Sequence, residues 1–115
     1  MISHTDKPWG YEKLLEYNDR YVVKELLMKE GHCCSLQYHE VKHETIYILK
    51  GEMKLVIGDS DSELEDIFLL EGEYYVIPPF KVHRMCGHTD CYYLESSTIE
   101  LDDLVRIEDN YGRTK

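Results

Sequence analysis

Short β-prone runs separated by glycines follow one another along most of the chain. Examples are "YVVKELLM", "CCSLQYH", "ETIYILKGEMKLVIG", "YYVIP" and "CYYLESS", which alternate apolar with polar positions or are rich in β-branched and aromatic residues. Glycines interrupt these runs at turn-like intervals, at Gly31, Gly51, Gly58, Gly72 and Gly87. Short strands at such spacing are typical of a β-sandwich or barrel. The sequence therefore predicts an all-β fold.

One segment, "SDSELEDIFLLEGE", has two interpretations. Ser60 or Ser62 could cap a short helix at its start. The overlapping stretch "DIFLLEGEYYVI" instead fits a strand, a glycine turn and a second strand. We favour the two strands.

The size and charge of the chain restrict its domain organisation and its partners. A length of 115 residues predicts one domain, spanning residues 1–115, whose polar ends at 1–6 and 110–115 are expected to be mobile unless they dock. Thirteen cationic and twenty-three acidic side chains give a formal net charge of −10. This charge repels phosphate backbones and anionic membrane surfaces, so we expect no nucleic-acid and no membrane partner.

No segment is apolar enough to suggest export or membrane insertion. The N-terminal stretch "MISHTDKPWG" lacks the apolar core of a signal peptide. No run approaches the roughly eighteen apolar residues that a transmembrane helix needs. We therefore expect a cytoplasmic protein.

The four cysteines are Cys33, Cys34, Cys86 and Cys91. Free thiols fit them best, because adjacent cysteines suit a disulfide framework poorly. A thiolate zinc site is the alternative, but Cys33 and Cys34 would point to opposite faces of a strand. The spacing from Cys86 to Cys91 is also unlike that of a usual zinc knuckle. We expect free thiols that behave as small buried hydrophobic side chains.

Polar side chains cluster in the stretch "SLQYHEVKHET" and again in "PPFKVHR". On a strand, Gln37 and His39 project from one face, and Glu44 can return to the same point from the neighbouring strand. The rigid turn at Pro78 is followed by His83, which a closing barrel could bring to the other three as a fourth ligand. A nitrogen and oxygen set without thiolate suits a divalent ion such as Zn, Mn, Fe, Ni or Co.

The spacing of these residues resembles the two motifs of the cupin superfamily, G-x5-H-x-H-x4-E-x6-G and G-x5-P-x-G-x2-H. The first motif corresponds to Gly31, Gln37, His39, Glu44 and Gly51, and the second to Gly72, Pro78, Phe80 and His83. Gln37 replaces a usual histidine, although a glutamine carbonyl oxygen can also coordinate a metal. Phe80 replaces a usual glycine, which is expected to alter the turn. The resemblance implies a double-stranded β-helix, or jelly-roll barrel.

A narrower resemblance covers almost the whole chain, from Lys7 to Arg113. It rests on four segments in order: the opening "KPWGYEKLL", the "SLQ-x-H" form with its following glutamate, the Pro78 and His83-Arg84 element, and the closing "DDLVRIEDNYGR". Together they are similar to the cupin domain of type II mannose-6-phosphate isomerases, which is fused to mannose-1-phosphate guanylyltransferases. The resemblance implies a metal-dependent isomerase of sugar phosphates.

Such a reaction moves a proton between adjacent carbons through an enediolate, whose negative oxygens need a fixed positive charge. The expected metal ligands are Gln37, His39, Glu44 and His83. The resemblance implies that Arg84 binds the substrate phosphate and takes part in catalysis, with Arg106 and Arg113 as further substrate-binding candidates. Weaker candidates are Lys24, Lys42 and Lys81, because an exposed lysine is usually a solvated surface charge.

The proton carrier remains open among His43, Tyr47, Tyr75 and Glu95. Regular strand pairing would place His43 and Tyr47 on the face opposite Glu44.

Two other classes of function stay open, because function resides in the site and not in the barrel. One is a different metal-dependent cupin enzyme, such as an oxygenase or a tautomerase. The other is a non-catalytic module that binds a sugar or a metal. For any of these we expect a homodimer, in which the N-terminal "KPWGYEKLL" segment adds to a sheet edge.

Overall fold

Two antiparallel sheets make up the computed structural model, which describes residues 3–112. The six-stranded sheet has the spatial order β1 (Ser3–Lys7), β2 (Gly10–Tyr17), β3 (Val22–Met28), β10 (Cys91–Ser97), β5 (Glu44–Lys50) and β8 (Tyr74–Ile77). The five-stranded sheet has the order β11 (Val105–Glu108), β4 (Leu36–Tyr38), β9 (Val82–Gly87), β6 (Met53–Gly58) and β7 (Leu64–Leu69). The all-β prediction is confirmed.

Alternation along the strands decides which side chains enter the core. On β5, Ile46 and Ile48 are buried, whereas Tyr47 between them is exposed. Successive side chains of a strand point to opposite faces, so this alternation buries one face of the sheet. Residues of both sheets belong to one hydrophobic cluster, which includes Leu55 on β6 and Tyr93 on β10. The core therefore lies between the two sheets.

The segment that could be either helical or extended, residues 60–73, forms a strand followed by a turn. Its residues contribute β7 and the turn that leads into β8. Gly72 in that turn has a φ of +85°, a conformation that favours glycine. The strand interpretation is therefore confirmed, and no helix cap forms at Ser60 or Ser62.

The described parts of both chain ends pack against the barrel. Residues Ser3–Lys7 pair with β2, and β2 pairs with β3 of the same chain. Near the other end, Tyr111 packs against the hydrophobic cluster. Homodimer formation stays a prediction. Within residues 3–112, no helical segment has the length and apolar character required to cross a bilayer.

Cys33 and Cys86 form a disulfide bond, so the prediction of four free thiols is wrong for these two residues. They lie directly opposite each other in an antiparallel bridge, with Cα atoms 4.1 Å apart. Only Cys33 of the adjacent pair takes part, whereas Cys34 stays a buried free thiol. Cys91 is also free and buried, as expected. The bond partners are separated by 53 positions in sequence, and strand register brings them together.

Candidate metal centre and its cavity

His39, Glu44 and His83 converge at one buried point between the sheets. One ligand atom from each lies within 4.8 Å of the others. The Nε2 atom of His83 is 3.1 Å from Oε2 of Glu44, and Nε2 of His39 is 3.5 Å from the same oxygen. Glu44 is the first residue of β5 and His83 lies on β9, while His39 directly follows β4. The strand ends therefore bring together three of the four predicted ligands.

Backbone carbonyls fix the orientation of both imidazole rings. Nδ1 of His39 donates to the carbonyl oxygen of Asp103 over 2.5 Å, and Nδ1 of His83 donates to that of Lys81 over 2.8 Å. These bonds place the lone pair of each ring on Nε2, which faces Glu44. Both Nε2 atoms and both Glu44 oxygens lack an aligned hydrogen-bond partner within residues 3–112. This donor set fits a divalent ion.

The carboxylate of Glu44 makes this point attractive to positive charge. Burial alone would lower the pKa of His39, but the neighbouring Glu44 carboxylate raises it above its ordinary value. Burial would likewise raise the pKa of Glu44, but His39, His83 and Lys42 together hold it well below its usual range. Glu44 is therefore ionised and attracts a proton or a metal ion to the histidines.

Gln37 lies between His83 and Arg106 in one row across the five-stranded sheet. It pairs with His83 of β9 and with Arg106 of β11. Paired residues project from the same face of a sheet, and both Gln37 and Arg106 line the cavity described below. The side-chain oxygen of Gln37 accepts a hydrogen bond from Ser35 over 2.6 Å. Coordination of a metal by this oxygen stays a prediction.

A cavity of about 350 Å³ opens beside these candidate ligands. Its charged lining consists of Lys7, Lys24, Lys42 and Arg106 together with Glu12, Glu44 and Glu95. Cations thus outnumber carboxylates here, although the chain as a whole has a net charge of −10. The cavity is suited to a small anionic ligand.

Lys42 is a buried part of this site and not the solvated surface charge that the sequence predicts. It is 5% exposed, and its Nζ atom lies 3.1 Å from both Glu44 and Glu95. Burial opposes its charge, but the two carboxylates raise the pKa of Lys42 above its ordinary value. Burial and the charge of Glu44 raise the pKa of Glu95. Lys42 therefore offsets the charge of two neighbouring buried carboxylates.

The comparison with protein families agrees with this geometry. The family model of the mannose-6-phosphate isomerase C-terminal domain matches residues 1–109. The chain belongs to this family.

Relatives of this mannose-6-phosphate isomerase C-terminal domain include much longer bacterial proteins. The xanthan biosynthesis protein XanB of Xanthomonas campestris pv. campestris is 32% identical over 113 residues, which are 94% of this chain and 23% of XanB. The mannose-1-phosphate guanylyltransferase of Escherichia coli is 34% identical over 112 residues, which are 93% of this chain and 22% of that protein. The chain thus spans less than a quarter of the length of these relatives.

Solved structures confirm the cupin fold of the domain. The capsular polysaccharide assembling protein CapF of Staphylococcus aureus superimposes with a TM-score of 0.81 at 18% identity, over 94% of this chain and 34% of CapF. KdgF of Halomonas gives a TM-score of 0.75 at 16% identity, over 87% of this chain and 88% of KdgF. Oxalate decarboxylase of Bacillus subtilis gives 0.80 at 14% identity, over 92% of this chain and 30% of that chain.

The three predicted arginines occupy different positions relative to the cavity of the domain. Arg106 lines it, and the Nε atom of Arg106 is buried without a hydrogen-bond partner within residues 3–112. Arg84 follows His83 on β9, where its Nε donates to the carbonyl oxygen of Cys34 over 3.1 Å. Arg84 is not among the residues that line the cavity. Arg113 lies outside the described residues.

Asp103 organises the site and has no place in the sequence-based set of candidates. Its carboxylate accepts hydrogen bonds from the backbone N–H groups of residues 40–42, at 3.0, 2.7 and 2.8 Å. These bonds lower the pKa of Asp103. Its backbone carbonyl also accepts the bond from His39. An aspartate that caps a loop through several N–H groups is a familiar pattern, but here the loop lies about sixty positions away in sequence.

Proposed function

We propose that this domain is a metal-dependent isomerase that interconverts aldose and ketose forms of a sugar phosphate, such as mannose 6-phosphate. The observation that carries the proposal is the convergence of His39, Glu44 and His83 beside a cavity in which cationic side chains outnumber carboxylates by one. The family match supports the same substrate class. Gln37 would complete the ligand set for Zn, Mn, Fe, Ni or Co.

A bound divalent ion would supply fixed positive charge where the oxygens of an enediolate become negative. The protein residues hold the ligand and exclude water. Arg106 lines the cavity, and its Nε has no hydrogen-bond partner within residues 3–112, so this arginine is the candidate for binding the phosphate group. Lys7 lines the same cavity and adds a second cation. The phosphate therefore lies at the Arg106 side.

Glu95 is the best-placed proton carrier of the four candidates. His43 and Tyr47 are exposed on the opposite face of the strand, as parity predicts, and Tyr75 does not line the cavity. Glu95 lines it and is 6% exposed. Burial raises the pKa of Glu95 toward the range in which a carboxylate works well as a base near neutral pH. Glu95 would take the proton from one carbon and return it to the next.

The test is conversion of mannose 6-phosphate to fructose 6-phosphate by protein loaded with each of the five metals in turn. Wild-type protein should turn over with at least one metal. Glu95→Gln should keep its metal and lose activity by about a hundredfold or more. His39→Ala and His83→Ala should lose the metal, whereas His43→Ala, at an exposed histidine nearby, should keep both metal and activity.

Three results would contradict the proposal. Wild-type protein that holds no metal after reconstitution would exclude the mechanism. Protein that holds metal and binds mannose 6-phosphate without turnover would be a binding module. Protein that holds metal but neither binds nor converts the sugar phosphate would point to another kind of cupin enzyme.

A further inference from the structure

The outer face of the six-stranded sheet carries exposed apolar side chains. Tyr47 on β5 is 42% exposed, and Tyr74, its partner on β8, is 65% exposed. Leu49 and Val76, on the same two strands, are exposed as well. These side chains point away from the core, because the alternate positions on the same strands, such as Ile46, are buried. Packing within the chain therefore does not explain why apolar residues occur on this face.

Strand register makes the exposed residues one continuous patch. Two neighbouring rows cross β10, β5 and β8, with Leu94, Tyr47 and Tyr74 in one row and Ser96, Thr45 and Val76 in the other. Charged residues make up 31% of the chain, but none of these six side chains carries a charge. We call these six residues the outer patch. A continuous exposed patch of this kind marks an interaction site.

The outer face of the five-stranded sheet differs in this respect. Phe68 on β7 is 48% exposed, about as much as Tyr47. It lies opposite Lys54 of β6, however, and Asp66 occupies the next position on the same face of β7. A single apolar side chain among charges is ordinary for a protein surface. The outer patch therefore requires an explanation that Phe68 does not.

The polar groups of the outer patch are complementary to themselves. They are the hydroxyl groups of Tyr47, Tyr74, Thr45 and Ser96. A hydroxyl both donates and accepts hydrogen bonds, so each of these groups can pair with the same group of another copy of the chain. A two-fold contact places a surface against itself, which suits such groups and disfavours unpaired charges. The chemistry of the outer patch thus favours a second copy as its partner.

The charge distribution also favours a second copy at this face. Two chains with a formal net charge of −10 each repel one another over most of their surfaces. The outer patch is uncharged, and its first row continues into Glu25 of β3 and Lys13 of β2, which form an ion pair at 3.5 Å. This row therefore adds no net charge. A cationic partner would instead be attracted to the acidic surfaces elsewhere.

The size of the face is close to what a stable dimer needs. Six strands that are about 4.8 Å apart and about six residues long give a face of roughly 29 by 20 Å. Its accessible area exceeds this projected area of roughly 600 Å², because side chains protrude from the plane. A standard interface buries about 800 Å² on each partner. The contact would thus use most of the face, with the outer patch as its apolar part and the ion-paired row in its polar rim.

We propose that the outer face of the six-stranded sheet binds a second copy of this chain in a two-fold dimer, with Tyr47 and Tyr74 as the main contacts. The N-terminal segment does not supply this contact, because β1 and β2 pair within their own chain. None of the six residues of the outer patch lines the cavity. The dimer is therefore independent of the proposed function.

Light scattering coupled to size-exclusion chromatography tests the dimer. Wild-type protein at about 100 μM should give twice the monomer mass of 13.7 kDa, since an interface of this size supports micromolar affinity. Tyr47→Glu brings two like charges together at the contact, so we expect the dissociation constant to rise at least about tenfold. Phe68→Glu introduces the same charge at a similarly exposed aromatic residue of the other sheet, and this control should remain a dimer.

Tyr74→Glu is the second variant, because Tyr74 is more exposed and lies on an edge strand, where a substitution disturbs the fold less. It should weaken the dimer by a similar factor, and circular dichroism verifies that each variant folds. Monomeric wild-type protein overturns the proposal. A dimer that persists in the folded Tyr47→Glu and Tyr74→Glu proteins also overturns it, because the copies then meet at another surface. Dissociation of Phe68→Glu overturns it too, since that result places the contact on the five-stranded sheet.

Discussion

The imidazole of His39 is held by the backbone of Asp103, through a 2.5 Å hydrogen bond from Nδ1 to the carbonyl oxygen. The side chain of the same aspartate holds the loop that follows His39. One residue thus fixes both the orientation of a candidate metal ligand and the path of the chain toward Glu44. Contacts of this kind to metal-binding histidines tune affinity and geometry.

Asp103→Ala should therefore weaken metal binding although Asp103 is not a ligand. The variant loses the three hydrogen bonds to residues 40–42, so the loop and His39 are less well positioned. We expect metal affinity to fall by about 10- to 100-fold, measured by competition with a chelator of known affinity. Asp102→Ala, at the exposed neighbouring carboxylate, is the control and should bind metal normally. Equal affinities in the two variants would contradict the role of Asp103.

Lys42→Met should destabilise the metal-free protein more than the metal-loaded protein. The substitution leaves Glu44 and Glu95 buried without their shared cation, a change that costs about 3–5 kcal/mol in comparable buried pairs. A divalent ion at Glu44 would offset part of this loss. Urea unfolding with and without metal measures the difference, and Lys50→Met at an exposed lysine is the control. A similar loss in both states would show that no ion compensates the charge of Glu44.

Arg106→Lys and Arg84→Lys distinguish the two arginine positions that the sequence proposes for phosphate binding. Arg106 lines the cavity, so its replacement should weaken binding of glycerol 1-phosphate about tenfold, because lysine lacks the bidentate fork. Arg84 bonds to the backbone of Cys34, so we expect a loss of stability and little change in binding. Calorimetry measures the affinity of both variants for glycerol 1-phosphate. A loss of affinity in Arg84→Lys but not in Arg106→Lys would indicate that Arg84 binds the phosphate.

Removal of the Cys33–Cys86 bond should lower stability without changing the fold. The bond closes a loop across 53 positions of sequence, for which the chain-entropy model gives roughly 4 kcal/mol. The Cys33→Ser/Cys86→Ser double variant should therefore unfold at a lower urea concentration, and a reducing agent should lower the midpoint of wild-type protein but not that of the variant. An identical midpoint for wild-type protein with and without reductant would contradict this.

Motif spacing was sufficient to predict that His39, Glu44 and His83 converge, because Gly31 to Gly51 and Gly72 to His83 keep the intervals of a known strand arrangement. Phe80, which replaces the usual glycine of the second motif, adopts a backbone conformation typical of glycine. Phe80 has a φ of 67°, in the left-handed region where glycine is favoured, and its N–H donates to the carbonyl oxygen of His39 over 2.6 Å. The surrounding contacts therefore hold an aromatic residue in a backbone conformation that costs about 1–2 kcal/mol.

The sequence-based prediction missed the burial of Lys42, because a lysine is usually expected to be exposed to solvent. Val41 is 61% exposed and Lys42 is 5% exposed, the reverse of their hydrophobicities. Strand alternation indicates the correct face, because Lys42 lies an even number of positions from Glu44 and Ile46, which are both buried. The disulfide and the contacts of Asp103 depend on register between distant segments, which local patterns do not determine.

The lining of the cavity also has a consequence for which anions can reach it. Four cationic and three carboxylate side chains line the cavity, so it has an excess of one positive charge in a chain whose formal net charge is −10. At physiological ionic strength, charges are screened beyond about 8 Å, so an anion is attracted only after it has come close to the opening. A small phosphorylated metabolite can enter the cavity and be attracted by its cations. Most of the charge of an anionic polymer would stay outside, where the acidic surface repels it. The charge distribution would therefore select anions by their size.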